Sequence, residues 1–401
     1  MKMNPKLTEE TIHQISENLN EPKWLLETRL DAIESLEGLK FPDVIKTPGR
    51  LWTDLEDLDF ENLIDPSLQD HETGRSDIGN AEVLSFSDAL GKYESLIKEN
   101  FGKAVDPKEN YLVGMSTAFF TDGTVIYIPK NVSVDEISIR TKMNSKSLFD
   151  YILVVAEESS TATIVTRQDT GGNFDGEKYY SGVVELVAGE NSHIKYGSLQ
   201  NLSKDTYKYS MKRGLTDRYA KISWIEGDVG GRLTKTTVET KLDGEGSETK
   251  IVCAFYGNGN QHIDLDAKVW HNAEGTIADL VTRGVVDDSA RSVYEGTQYV
   301  GKDAWNTSSY QRESTLMLSD DAEADASPKL IINNHDTSAS HSATVGQIDK
   351  ESLHYMKTRG IPDKLASNML VKGFFGPIYE EITVDEFRRD LETEIDLRLR
   401  T

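Results

Sequence analysis

The chain has 401 residues and a single cysteine, Cys253. One thiol excludes an internal disulfide framework, and it excludes any four-cysteine zinc or cluster site built within one chain. Long apolar runs are also missing: no stretch reaches 18 residues, so no membrane-spanning helix is expected. The opening MKMNPKLTEETIHQ lacks the apolar core of a signal peptide, which makes a cytoplasmic protein the expectation. Basic residues are in deficit, 44 Lys and Arg against 68 Asp and Glu, for a formal net charge of −24. Phosphate contacts need a basic surface, so nucleic acid is not expected as a partner. The acidity suits solubility, a salty cytoplasm, or the meeting of a basic partner. No HExxH, GxSxG or Walker lysine motif occurs, and Gly230-Gly231 lacks the strand–loop–helix setting of a phosphate cradle. This chain is therefore not expected to bind a nucleotide or hydrolyse ATP.

What is present suffices for a large core: 37% hydrophobic residues, with five Trp and 16 Tyr. Residues 8–39 read as helix, with Thr8 placed to cap it and a second helix opening at Glu21-Pro22. In that second helix Trp24, Leu25, Leu26, Arg29, Leu30, Ile33 and Leu36 form a largely apolar stripe. Residues 41–80 are polar and proline-punctuated and read as a surface linker, and 81–101 return to helical period. From there β-rich runs follow one another, beginning with LVGMSTAFF and TVIYIPKNVSV around an Asp122-Gly123 turn. Later breaks fall near Gly257, Asn272, Asp287, Gly301, Ser319 and His335, a near-constant step without helical pattern between them. Short strands at such a step suit a β-solenoid or a β-sandwich. Cys253 alternates with Ile251 and Phe255 and should point inside, where a cysteine acts as a small inert hydrophobe.

The chain changes character between Pro328 and Phe375. Up to Val345 it alternates like strand; beyond Asp349, Leu353, Met356, Ile361, Leu365, Met369 and Leu370 are spaced like the apolar face of helices, interrupted at Gly360-Ile-Pro362. The run Ser340-His341-Ser342-Ala343-Thr344-Val345-Gly346, followed by Tyr355 and Arg359-Gly360-Ile361, resembles the C-terminal signature of the SufB/SufD family, the scaffolds of SUF iron–sulfur cluster assembly. Further points of resemblance are Ile126-Tyr-Ile128-Pro129, Gln200-Asn201, Gly230-Gly231, Leu242 to Gly246, and Leu370 to Phe374.

The resemblance implies a mainly β fold: a right-handed parallel β-helix core over 105–348, with an N-terminal helical region and linker over 1–104 and a C-terminal helical region over 349–401. It also implies a scaffold, not an enzyme. This scaffold would pair through the β-helix with SufB or a second copy of itself, and its tail would dock a SufC-type ATPase through Tyr355, Arg359, Gly360 and Phe374. His341 takes the place of the SufD histidine implicated in building the transient cluster and is the candidate metal and cluster residue. Glu386 falls at the position of a SufB acidic residue with a related role. The chain departs from the SufB pattern where that form has a cysteine after the Tyr, since Met356 stands there. The sulfur-accepting SufB thiol falls near Thr240, so it is absent too. Met356 and His341 make the chain SufD-like, while EPKWLLETRLDAIESL is closer to the SufB version. The readings from other classes are a β-solenoid polysaccharide-active enzyme and a purely structural solenoid.

Overall fold

The computed structural model describes residues 7–36, 44–46, 52–54, 63–66, 69–75, 80–121, 123–172 and 176–400. Helices α1 (Glu9–Asn18) and α2 (Lys23–Leu36) open it, and the Thr8 hydroxyl accepts the Thr11 N–H at 3.2 Å as the N-cap. Strands β1 (Val44–Lys46) and β2 (Trp52–Asp54) form a small antiparallel pair. Strands β3 (His71–Arg75) and β4 (Glu82–Ser85) precede helix α3 (Phe86–Asn100) and helix α4 (Tyr111–Phe119).

The rest of the β structure is two facing sheets stacked in parallel. One contains β6 (Ser133–Met143), β8 (Thr161–Thr170), β10 (His193–Asn201), β12 (Lys221–Asp228), β14 (Glu248–Gly257), β16 (Ile277–Val286), β18 (Thr307–Met317) and β20 (Thr337–Gln347). The other contains β5 (Thr124–Ile128), β7 (Ser147–Ala156), β9 (Lys178–Ala188), β11 (Thr206–Thr216), β13 (Leu233–Leu242), β15 (His262–His271), β17 (Arg291–Val300) and β19 (Glu323–Ile332). Each strand pairs with the strand two later in the chain, so successive strands alternate between sheets and every pair of strands is one rung of a parallel β-helix. At the first end β3 and β4 add antiparallel edges to the two sheets. The tail contains α5 (Lys350–Thr358), α6 (Asp363–Glu381) and α7 (Asp385–Arg400).

The core lies in three layers. Between the sheets, Ile222, Trp224, Ile251, Cys253, Phe255, Leu265, Val269 and Leu280 fill the bore. Fully burying one such side chain is worth about 1.5–3 kcal/mol, so no single rung is stable alone and the stack is the cooperative unit. Outside the odd-numbered sheet, α1, α2, α3 and α4 bury Phe86, Phe119 and Phe120 against Phe149, Tyr151 and Tyr179. Outside the even-numbered sheet, α6 and α7 bury Phe375, Phe387 and Leu391 against Val165, Leu199 and Ile225. Strands covered on both faces need little polar alternation, which explains runs such as YILVVA. Between rungs Asn131, Asn191 and Asp288 take left-handed φ of +62, +57 and +53°, a conformation that short polar side chains tolerate.

The expected turns coincide with strand ends: Gly257 closes β14, Asp287 follows β16 and Gly301 follows β17. Three segments depart from expectation. LVGMSTAFF is helix α4, capped by the Asn110 side chain accepting the Val113 N–H at 3.0 Å. Every residue from Leu112 to Phe119 is buried, so the run carries no helical period, and a short apolar run cannot be told from a strand by periodicity. Glu82–Ser85 is strand, because it pairs antiparallel with Thr124–Ile128 before the helix starts at Phe86. The expected surface linker contains strand β3 and the buried Leu63 and Ile64. Asp122 of the expected turn, and much of 41–80, lie outside the described residues.

Candidate functional site

The stack ends asymmetrically. Strands β19 and β20 each have one hydrogen-bonded neighbour, β17 and β18, and stand at the ends of their sheets. Among the described residues nothing pairs with their outer edges, and Ile331, Ile332 and Val345 are exposed there at 45, 43 and 38%. An open apolar edge is a template for another chain. The opposite end is covered by β3, β4 and the N-terminal helices.

His341 lies in this last strand, in register with Gln311 of β18, and it is exposed. Ser340 beside it accepts a long hydrogen bond from Gln298 Nε2 at 3.4 Å through its carbonyl. His335 packs edge-on against Trp305 with ring centroids 5.2 Å apart, and His354 is exposed on α5. Among the described residues no three His, Cys, Asp or Glu side chains form a group that could hold a metal ion, so His341 is presented singly.

Glu386 stands elsewhere. At the start of α7 it accepts from Arg140 of β6 at 2.6 Å. Hydrogen bonding from Glu136, and then from Arg140, holds its carboxyl below the usual range, while burial and the nearby Glu386 push Glu136 up. The sheet order runs from β20 to β6 through six intervening strands. At about 4.8 Å per strand, Glu386 and His341 are on the order of 30 Å apart within one chain.

In the tail, Asp349 caps α5 by accepting the Glu351 and Ser352 N–H groups. Gly360, at φ +84°, ends that helix in a conformation that favours glycine. Tyr355 is 59% exposed with the Arg359 guanidinium 5.1 Å over its ring, and Leu365 and Met369 are exposed on α6. Phe374, by contrast, is half-buried, with Arg283 of β16 5.0 Å over its ring. No residue of α5 is buried.

Cys253 is fully buried in the bore, and burial first, then Glu226 and Asp228, push its thiol well up. An uncharged buried thiol is a poor nucleophile. Thr240 is also inside, its hydroxyl accepting Trp224 Nε1–H at 2.9 Å. Sequence reasoning missed the charges in the bore. Lys208 Nζ donates to Asp228 at 2.7 Å, and Lys212 Nζ donates to Ser198 at 2.6 Å and to Glu226 at 2.5 Å, all buried. Glu313, also missed, is 1% exposed in β18, and burial pushes its carboxyl up to about 7.

The chain matches two family profiles: residues 139–374 match "SUF system FeS cluster assembly, SufBD core domain" and 67–139 match "SufBD protein N-terminal region". It is 28% identical to the iron–sulfur cluster assembly protein SufD of Bacillus subtilis, covering 100% of both chains. It is 27% identical to SufBD family proteins of Staphylococcus haemolyticus and Staphylococcus saprophyticus, over 97% of this chain and 93% of theirs.

Proposed function

Since the chain belongs to the SufBD family of SUF iron–sulfur cluster assembly proteins, we propose that it is a scaffold subunit of SufD type, not an enzyme, in a cytoplasmic SUF complex. The observation that carries the reading is the open terminal rung with His341 in its last strand. Completing β19 and β20 with the corresponding strands of SufB, or of a second copy, would satisfy the free backbone edge and bury Ile331, Ile332 and Val345. That junction brings His341 against the partner, where an imidazole can ligate iron or carry a proton while a cluster is assembled as cargo. One imidazole in the last strand and one buried thiol are too few ligands for a cluster, so the partner supplies the others.

The SufC-type ATPase docks on the tail. Tyr355, Leu365 and Met369 are exposed apolar groups on a helical pair, Arg359 stacks on Tyr355, and Gly360 sets the turn between the helices. Phe374 serves that surface from behind, anchoring α6 to the solenoid through Arg283. The nucleotide belongs to the ATPase. In this arrangement Glu386 acts at the other end of the sheet, joining α7 to β6.

The test is co-purification with the SufC-type ATPase of the same cell, with and without a second family member, then anaerobic loading with iron and sulfide. A stable complex whose cluster absorption falls in His341→Ala supports the whole reading. A complex with unchanged loading retains the partners and removes the histidine from the site. No complex with either partner overturns the proposal.

A further inference from the structure

Just beneath the terminal rung the bore is lined by uncharged polar groups and one carboxyl. The inward positions there are Thr282 on β16, Tyr294 and Gln298 on β17, and Ser309, Gln311 and Glu313 on β18, none more than 1% exposed. Each has an atom without a hydrogen-bond partner in the structure: Thr282 Oγ1, Tyr294 OH, Gln298 Oε1, Ser309 Oγ, Gln311 Nε2 and Glu313 Oε2. The bonds that exist join members of the group. Gln298 Nε2 donates to Gln311 Oε1 at 3.0 Å, and the Thr315 hydroxyl donates to Glu313 Oε1 at 2.5 Å. Gly296 leaves the room for this, since a Cβ there would sit 1.8 Å from Gln311 Nε2.

A dry interior does not collect orphaned donors and acceptors, because each loses its hydration without compensation. Polar cavities hold water, which makes several hydrogen bonds to such groups. The last rung roofs these residues thinly: Ala324 and Ala326 on β19 and Ala339 on β20 are half-buried, and Ala343 and His341 on β20 are exposed. Ala343 lies in register with Glu313, and His341 with Gln311.

We propose that the end of the bore is a hydrated proton-exchange site in which Glu313 takes up and releases a proton. The water is held by Gln298, Gln311, Ser309, Thr282 and Tyr294 and reaches solvent between Ala343 and His341. Burial raises the Glu313 carboxyl to about 7, opposed by the Thr315 hydroxyl and the Thr344 N–H. The titratable groups around it are Tyr294 on β17, Cys253 two rungs below and His341 on β20. One O–H bond forms as another breaks: the carboxylate takes a proton that solvent delivers as hydronium, leaving neutral water, and the carboxyl returns it to water as hydronium. The site stands apart from the proposed function. Its use rests on that reading: thiols that become iron ligands on a partner lose protons, and Glu313 sits directly behind the face where they would do so.

Infrared difference spectra of the full chain, without iron, test this. The expected result is a buried protonated-carboxyl band with a midpoint near neutral pH, absent from Glu313→Gln, that shifts within seconds of mixing into D2O while core amides remain unexchanged. A band that needs unfolding to exchange, or no band removed by Glu313→Gln, overturns the proposal. Ala343→Leu, which narrows the roof without touching the carboxyl, is expected to slow the D2O shift at least tenfold and leave the midpoint in place. An unchanged rate there overturns the route. Because iron and partners are absent, failure here leaves the scaffold reading intact, and failure of co-purification leaves this one intact.

Discussion

Arg29 holds Glu21 at 2.6 Å inside the N-terminal helical layer, with both side chains essentially without solvent contact. The same guanidinium donates to the carbonyls of Thr117 and Ala118 and lies 3.9 Å over the Phe120 ring. One side chain thus joins α2, the end of α4 and the entry to the first rung. Removing it leaves a buried carboxylate uncompensated, and breaking such a pair costs about 3–5 kcal/mol. Arg29→Met is expected to lower the urea midpoint accordingly. Arg29→Lys retains charge without the fork and should fall between. Equal stability of all three would remove the pair from the account.

Inside the bore, Lys212 and Glu226 form a second buried pair. Burial lowers the lysine and raises the carboxyl from their ordinary values, and the ion pair opposes both shifts. Lys212→Met alone should cost about 3–5 kcal/mol, because Glu226 then lacks its nearest cation. Lys212→Met combined with Glu226→Gln should recover part of that loss. Denaturation of the two single variants and the double variant measures the coupling, and simple additivity would contradict it.

Glu313 gives stability a pH dependence opposite to that of most carboxylates. Its folded value, about 7, lies above the ordinary value of 4.5. The folded chain therefore binds more protons between those values, and stability is full below pH 4.5 and falls until pH 7. The contribution lost is about 3 kcal/mol at 1.36 kcal/mol per unit. Glu313→Gln should flatten this part of the curve, so the variant gains on the wild type from pH 5 to 8. Thermal melts across that range decide it; parallel curves for the two proteins would refute the shift.

Glu386 and His341 should separate by phenotype. The Glu386–Arg140 pair is 38 and 56% exposed, and such a pair is worth at most about 1 kcal/mol. Glu386→Ala is expected to loosen α7 on the solenoid, visible as faster proteolysis of the tail, with cluster loading retained. His341→Ala should show the reverse. Loss of loading in Glu386→Ala with a docked tail would instead give Glu386 a place at the cluster.

The rungs were legible because breaks at Gly257, Asn272, Asp287 and Gly301 mark strand ends at a near-constant step, with neighbours such as Gly259 and Asp288 taking the left-handed backbone of the turns. Faces were less legible. In β11, Tyr207, Tyr209 and Met211 look like the inward set, yet they point outward beneath the N-terminal helices, while Lys208 and Lys212 point into the bore. Alternation reports two faces but cannot say which cover is thicker when both are buried. His341 stood out through its motif alone. Glu313, flanked by Arg312 and Ser314, lies in a run polar on both faces, so nothing in the sequence distinguished the bore from the surface.

A stack held by nearest neighbours inherits its stability from both sides, and the last member has one side only. The free chain thus has a stiff end, buttressed by helices, and a soft end at Thr337–Gln347, where fraying is cheapest. Amide exchange should grade along the axis, slow through Glu248–Gly257 and fast in the final strand. Whatever joins that strand adds binding energy and also stiffens the rungs behind it, so the affinity of the junction and the rigidity of the chain rise together.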